Sequence, residues 1–351
     1  STPNTNGRHL SANWCGNGQP STGAHTLLAD QVCVLSSTII IGPSNVLENL
    51  ELSTVSGATS NAIISGNATR RLFQIGCGKL TLTDIILEDG KAHGTSPLEK
   101  LGGAIFVLPT TTTPPEVELT RVTVRNCHSE SEGGGIFATG FSANQLKVVI
   151  SLHECIFAGN SATSVGGAIS LQNGPVVKLV AGTKTVMEQN SAGSSGGALR
   201  LSRAHLEVQG TNTRLVVQSN SAESDSGGVS AVSASSMVLS SGGRLEVINN
   251  TAKTNGGGLY LTSPNTRLDV SGIGTRLVVR GNSAGQVGGG VLALSASSVV
   301  VSLSARVDVI NNTAVASNGG GLYLQDQDTR LDVSGNDTRL VVRGNAAGQK
   351  G

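Results

Sequence analysis

Short apolar runs with a period of two recur along this chain, among them VCVLSSTIII from Val32, NAIISG from Asn61, RLFQIG from Arg71 and KLTLTDIIL from Lys79. They are rich in β-branched residues and bounded by Gly, Asn and Ser, which predicts short strands. Farther along, the runs fall into a frame set by seven asparagines. Five and three positions before each asparagine stand Cys155 and Phe157, Thr185 and Met187, Leu215 and Val217, Leu245 and Val247, Leu277 and Val279, Val307 and Val309, and Leu340 and Val342. Residues two apart share one face of a pleated strand, and that face is predicted to be the core. The intervening positions carry Arg214, Arg244, Arg276, Arg306 and Arg339, then Glu246, Val278, Asp308 and Val341. These are expected to face water.

The asparagines are Asn160, Asn190, Asn220, Asn250, Asn282, Asn312 and Asn345, spaced by 30, 30, 30, 32, 30 and 33 residues. A fixed period of this size signals a solenoid whose repeats bury their apolar faces only against their neighbours. Three strands fit each repeat, with turns at the Asn and Gly motifs. The expected fold is all-β: a right-handed parallel β-helix, a three-sided solenoid of about 31 residues per coil. About ten coils at a rise of about 4.8 Å would make a rod on the order of 50 Å long. Residues 1–31, rich in polar residues and glycine, are expected to be an arm or cap. Residues 32–175 read as decorated coils, with insertions at Lys91 to Leu101 and at Thr110 to Pro115, where proline interrupts a ladder. Residues 176–351 read as regular coils continuous with them. There GGGLYLTSPNTRLDV at Gly256 returns as GGGLYLQDQDTRLDV at Gly319, so the unit is a pair of coils.

Asparagine tolerates left-handed backbone at a turn, and stacked asparagines can hydrogen-bond as a ladder. The asparagine column is therefore read as structural. Glycines six or seven residues later permit conformations that a Cβ forbids. Cys15 and Cys33 are candidates for a disulfide staple of the N-terminal arm, against two unpaired buried thiols; spacing does not choose between them. Five cysteines in 351 residues are too few for a disulfide scaffold, so the fold must rest on its core.

The segments GGAI at Gly102 to Ile105, FAGN at Phe157 to Asn160, GGAI at Gly166 to Ile169 and GGAL at Gly196 to Leu199 resemble the repeated GGAI and FxxN motifs of the polymorphic outer-membrane-protein family. The resemblance spans roughly residues 61 to 348. It implies a surface-displayed right-handed β-helix associated with adhesion. Two departures stand out: the motif phenylalanine is mostly Val or Met, and no C-terminal β-barrel segment is present in this sequence.

Candidate chemistry is sparse. The net charge is +1, and no run of Lys or Arg is long enough to track phosphates, so no nucleic-acid partner is expected. No apolar run approaches a membrane span. Aromatic residues make up 2% of the chain, leaving few stacking platforms for sugars. The acids on the regular faces, Glu207, Glu246, Asp269, Asp308 and Asp332, each follow a basic residue by two, which reads as a solvated charge ladder. Asp326 and Asp328, followed by Asp332 and Asp337, break the symmetry, but they lack the spacing of a calcium loop. The histidines form no metal pair, and His153 beside Glu154 reads as a solvated neighbour rather than a base. No catalytic, cofactor-binding or metal-ligating residues are assigned, and no cofactor is expected. Sequons at Asn67, Asn249, Asn311 and Asn336 are candidate N-glycosylation sites, in a number that chance alone would supply.

The expected protein is an extracellular or cell-surface structural or adhesive solenoid, a segment or subunit of a fibre, and not an enzyme. The sequence stops at Gly351 within a coil, so the expected partners are a second copy stacked end to end, or further coils, together with a host or matrix surface ligand. The alternative is a polysaccharide lyase or hydrolase with its cleft between Lys91 and Gly140. Three or more acids converging on one groove would favour it.

Overall fold

The predicted alternation becomes strand stacked upon strand in parallel register. The structure, a computed structural model, describes residues 19–42, 47–111, 113–140 and 147–348. Sheet A has 11 strands, running from Gly23–Leu27 to Arg330–Ser334. Sheet B also has 11 strands, from Val32–Val34 to Arg339–Arg343, and sheet C has 10, from Ile39–Ile41 to Leu322–Leu324. The chain visits A, B and C in turn, so each coil rests on the one before it. The fold is thus an all-β parallel solenoid of about 10 turns. Among the described residues the only helical element is the 3₁₀ turn Pro97–Lys100.

Two features differ from the expected three-strand coil. A fourth sheet, D, is made of 9 strands of two residues each, from Lys91–Ala92 to Ala346–Ala347. Six of its strands are the Ser-Ala and Thr-Ala pairs that follow the asparagines, and the others are Lys91–Ala92, His128–Ser129 and Ala346–Ala347, all too short for any periodicity to mark. The first strand, Gly23–Leu27, lies ahead of the expected onset of the coils at residue 32, pairing Gly23 with Leu50 and Leu27 with Thr54. It buries His25 and Leu27, and a histidine on the inner face hid the alternation. Cys33 is buried and disulfide-bonded, so it is not one of two unpaired thiols; Cys15, its candidate partner, lies outside the described residues.

The core follows the predicted parity. On sheet B, register places Cys33, Ile64, Leu87, Val124, Phe157 and Met187 in one column, continued by Val217, Val247, Val279 and Val309; all ten are 0% exposed. Full burial of one Val, Leu, Ile, Phe or Met contributes about 1.5–3 kcal/mol. The stack therefore carries the rod with a single aromatic, Phe157, in this column. The Lys91 insertion is shorter than expected, because Lys91–Ala92 already belongs to sheet D. Arg71 holds the remainder down: its Nε donates to Leu101 O at 3.0 Å and Gly102 O at 3.1 Å, and its Nη2 to Leu98 O at 2.9 Å and Glu99 O at 3.0 Å. Its guanidinium lies 4.6 Å from the Phe106 ring centre. Burial pulls the Arg71 pKa down to about 10, with the charge of Glu99 opposing.

Candidate functional surface

The asparagine column is a continuous buried ladder. Asn160 donates its backbone N–H and Nδ2 to Asn190 Oδ1, both at 3.0 Å, and the same two bonds recur from coil to coil as far as Asn345. The second Nδ2 proton reaches a carbonyl of the preceding coil, as from Asn220 to Met187 O at 3.0 Å. With donors and acceptors so engaged, the column serves as scaffold. Its backbone differs from expectation. The ladder asparagines are not left-handed; the residue before each one is, with Gln189 at φ 55°, Ser219 at 55° and Asn249 at 54°. The tight corner is taken one step earlier, which leaves the asparagine to aim its amide along the rod. Toward the N-terminus, Cys127 occupies the ladder position, and its Sγ accepts from Gly90 N at 3.4 Å. Burial pushes the Cys127 thiol up to about 12 and Cys155 to about 11, so neither is a nucleophile at neutral pH.

On the outer face of sheet B the expected solvated ladder is a covered one. Arg214, Arg244, Arg276, Arg306 and Arg339 stand in register, each about 4.8 Å from the next. Beside them Val216, Glu246, Val278 and Asp308 alternate, and all four are buried, at 3%, 3%, 8% and 0% exposure. Parity placed these residues outward correctly, but the two acids among them are clamped by arginine side chains. Glu246 pairs with Arg214 and Arg244. Asp308 pairs with Arg276 at 2.6 Å and Arg306 at 2.8 Å. Burial raises the Asp308 pKa, but the hydrogen bonds and charges of Arg306 and Arg276 outweigh it, so the carboxyl lies below the ordinary aspartate value. Above this column, at the turn from sheet A to sheet B, an open depression of about 650 Å³ is bordered by Thr211, Asn212, Arg214, Arg244, Ile273 and Arg276.

The outer face of sheet C gathers four of the chain's eight aromatics, Phe106, Phe137, Tyr260 and Tyr323, a grouping absent from the sequence-based expectations. Register aligns Phe106, Phe137, Ser170, Arg200, Ser230 and Tyr260. The signal was present as the second residue after each GGA or GGG triplet, read outward. Glu132 accepts from Ser170 Oγ at 2.9 Å and from Gln172 Nε2 at 2.6 Å. Arg200 donates to Ser230 Oγ at 2.6 Å; burial lowers its pKa, with Glu132, Tyr260 and Asp225 opposing.

Three of the five acids of the Lys91–Gly140 region are tied to separate structural partners. Glu99 accepts from Thr95 N at 2.9 Å and Ser96 N at 3.0 Å, Glu118 pairs with Lys79 at 2.6 Å, and Glu132 holds the pair above. Among the other expected positions, Asp326 accepts from Ser295 N at 3.0 Å and Asp332 pairs with Arg330 at 3.1 Å. Among the described residues no three His, Cys, Asp or Glu side chains gather as a metal site, so Asp326, Asp328, Asp332 and Asp337 are not brought together as one. The partner of Glu207 is Lys178, at 3.7 Å, rather than His205, whose Nδ1 lies 2.6 Å from Ser236 Oγ. His153 lies on the outer side of sheet A, and Glu154 turns the corner beside it at φ 56°. The sequon asparagines Asn67, Asn249, Asn311 and Asn336 are all exposed.

Stacked parallel strands, a buried asparagine ladder and glycine corners in successive coils define a β-solenoid repeat protein. The Chlamydia polymorphic membrane protein (Chlamydia_PMP) repeat matches residues 154–172. That segment carries the sheet B, D and C strands of one coil: Cys155 and Phe157 point inward, Asn160 is a rung, Gly166 is left-handed at φ 67°, and Ile169–Gln172 is the sheet C strand. The match and the fold together fit a polymorphic-membrane-protein-like β-helix repeat protein, a class associated with the cell surface. No curated protein and no solved structure matches the chain. Among the described residues no helix is long and apolar enough to cross a membrane, which says nothing of a β-barrel.

Proposed function

We propose that this chain is the extracellular, surface-exposed arm of an adhesive protein, a stiff solenoid that presents long outer faces to a host or matrix ligand. The observation that carries this reading is the polymorphic-membrane-protein repeat at residues 154–172, set in a solenoid whose inner columns and asparagine ladder run on through the coils that follow. The outer faces are free to vary along such a rod, because the core needs only the inward positions. End-to-end association is part of the proposal. Beads coated with the purified chain are expected to attach saturably to cultured animal cells and to be displaced by soluble chain. Attachment no greater than that of beads carrying an unrelated β-solenoid would refute adhesion.

A further inference from the structure

We infer that the outer face of sheet B, over the regular coils, binds a linear sulfated polysaccharide laid along the rod. This inference rests on the adhesive reading and names its ligand class. The basic stripe is invisible as a run of residues because its members are a coil apart. Register assembles Lys184, Arg214, Arg244, Arg276, Arg306 and Arg339 into one unbroken column over six coils. Six coils at about 4.8 Å per step make a charged row about 24 Å long. Arg280 and Arg343 add two exposed bases along the other edge of the same face. Against these eight bases the face carries three acids, Glu188, Glu246 and Asp308, an excess of five on a chain whose whole net charge is +1. Positive charge is thus gathered on this face and balanced elsewhere.

The arginines are both anchored and accessible. Glu246 and Asp308 each orient two guanidinium groups from below, and the arginine side chains remain 36–44% exposed. Arg244 carries the mark of crowded charge. Burial lowers its pKa, Glu246 opposes this, and Arg276 and Arg214 lower it further. An incoming anion would relieve that repulsion. Guanidinium forks suit sulfate geometry, and a straight row with a fixed rise suits an extended polymer. The depression beside Arg214, Arg244 and Arg276 offers Thr211 and Asn212 for sugar hydroxyls and Ile273, 83% exposed, for a ring face. Nucleic acid fits less well, because none of the outward positions on these six strands is aromatic and base stacking has no platform.

The test is fluorescence anisotropy of labelled heparin with the full chain, repeated with fully desulfated heparin and with a single-stranded oligothymidine of matched charge. Binding to heparin should weaken steeply as NaCl rises. The variant Arg244→Gln/Arg276→Gln/Arg280→Gln should lose about tenfold or more in affinity, equivalent to about 1.4 kcal/mol. Arg267→Gln/Arg330→Gln on sheet A should stay within about twofold, as expected where screening isolates the two faces. Should the triple variant fail to fold by circular dichroism, Arg280→Gln/Arg343→Gln, which leaves the clamped column intact, should still weaken binding about threefold. Unchanged affinity in folded variants, equal binding of desulfated polymer, or tighter binding of the oligonucleotide would each overturn the inference. Cell attachment of coated beads with no heparin binding would refute this ligand and leave adhesion standing. Heparin binding without attachment would do the reverse.

Discussion

Asn220 sits directly beneath Asn190, and its Oδ1 accepts both the backbone N–H and the Nδ2 of Asn190 at 2.9 Å. One buried oxygen thereby satisfies two donors of the neighbouring coil, while Asn220 Nδ2 donates to Met187 O and Asn250 Oδ1. Asn220→Ala strands all of these partners where water does not reach. At about 1–3 kcal/mol for each orphaned buried group, a loss of about 3–5 kcal/mol is expected. Urea denaturation of Asn220→Ala beside Gln218→Ala, which alters only the outer face, checks it; equal midpoints would show that the ladder is not structural.

Val279 and Val278 are adjacent and face opposite ways. Val279→Asp buries an unpaired carboxylate in the valine column and should cost several kcal/mol, or prevent folding. Val278 is also covered, at 8% exposure, but on the arginine-bearing outer face. There an aspartate would find guanidinium groups nearby and two acids, Glu246 and Asp308, in the flanking coils. A cost of about 1 kcal/mol is expected, larger than for an open surface position and far below that at Val279. Thermal unfolding of the two variants would reveal any comparable loss, which would mean that the register is wrong.

The Asp308 clamp predicts a pH signature. Its folded pKa is depressed, so the stability it supplies is present above the ordinary aspartate range and is lost as pH falls through the lower folded value. Asp308→Asn should therefore be less stable than the parent at neutral pH, with the difference shrinking in acid. A difference that grows on acidification would contradict the direction of the shift.

Two glycines separate crowding from backbone conformation. A Cβ on Gly167 would lie 2.2 Å from Gly197 O and 2.5 Å from Ser191 O, both backbone atoms of the next coil. Gly182, at φ 82°, has nothing within 4 Å. Gly182→Ala should cost about 1–2 kcal/mol for its conformation alone, whereas Gly167→Ala must push coils apart and should abolish folding or expression. Similar melting temperatures for the two would show that coil spacing is not what this glycine protects.

The sequence made the core legible because one stretch of period-two residues is repeated until its phase cannot be mistaken. Leu245, Val247, Leu277 and Val279 could be placed inward from spacing alone. Parity says which way a side chain points but not what lies over it, and so the burial of Glu246 and Asp308 was missed. Register was the other gap. Phe106, Phe137 and Tyr260 are scattered in sequence and only the stacking makes neighbours of them, whereas the repeat frame already aligned Arg214 with Arg244. Cys127 could be recognised as a rung only once His128 was seen beside Ser161.

The glycine corners at Gly256 and Gly319 share almost the same backbone, at φ 60° and 67°, and each is preceded by asparagine and followed by Gly-Gly-Leu-Tyr-Leu. Excision of residues 256–318 would join Asn255 to Gly319 and recreate the original junction, with the Arg, Val and Asn columns simply closing by two coils. Recombination between such copies can therefore change the reach of the molecule in steps of about 10 Å without disturbing a single packing contact class. Length can thereby change independently of the chemistry displayed on the sides.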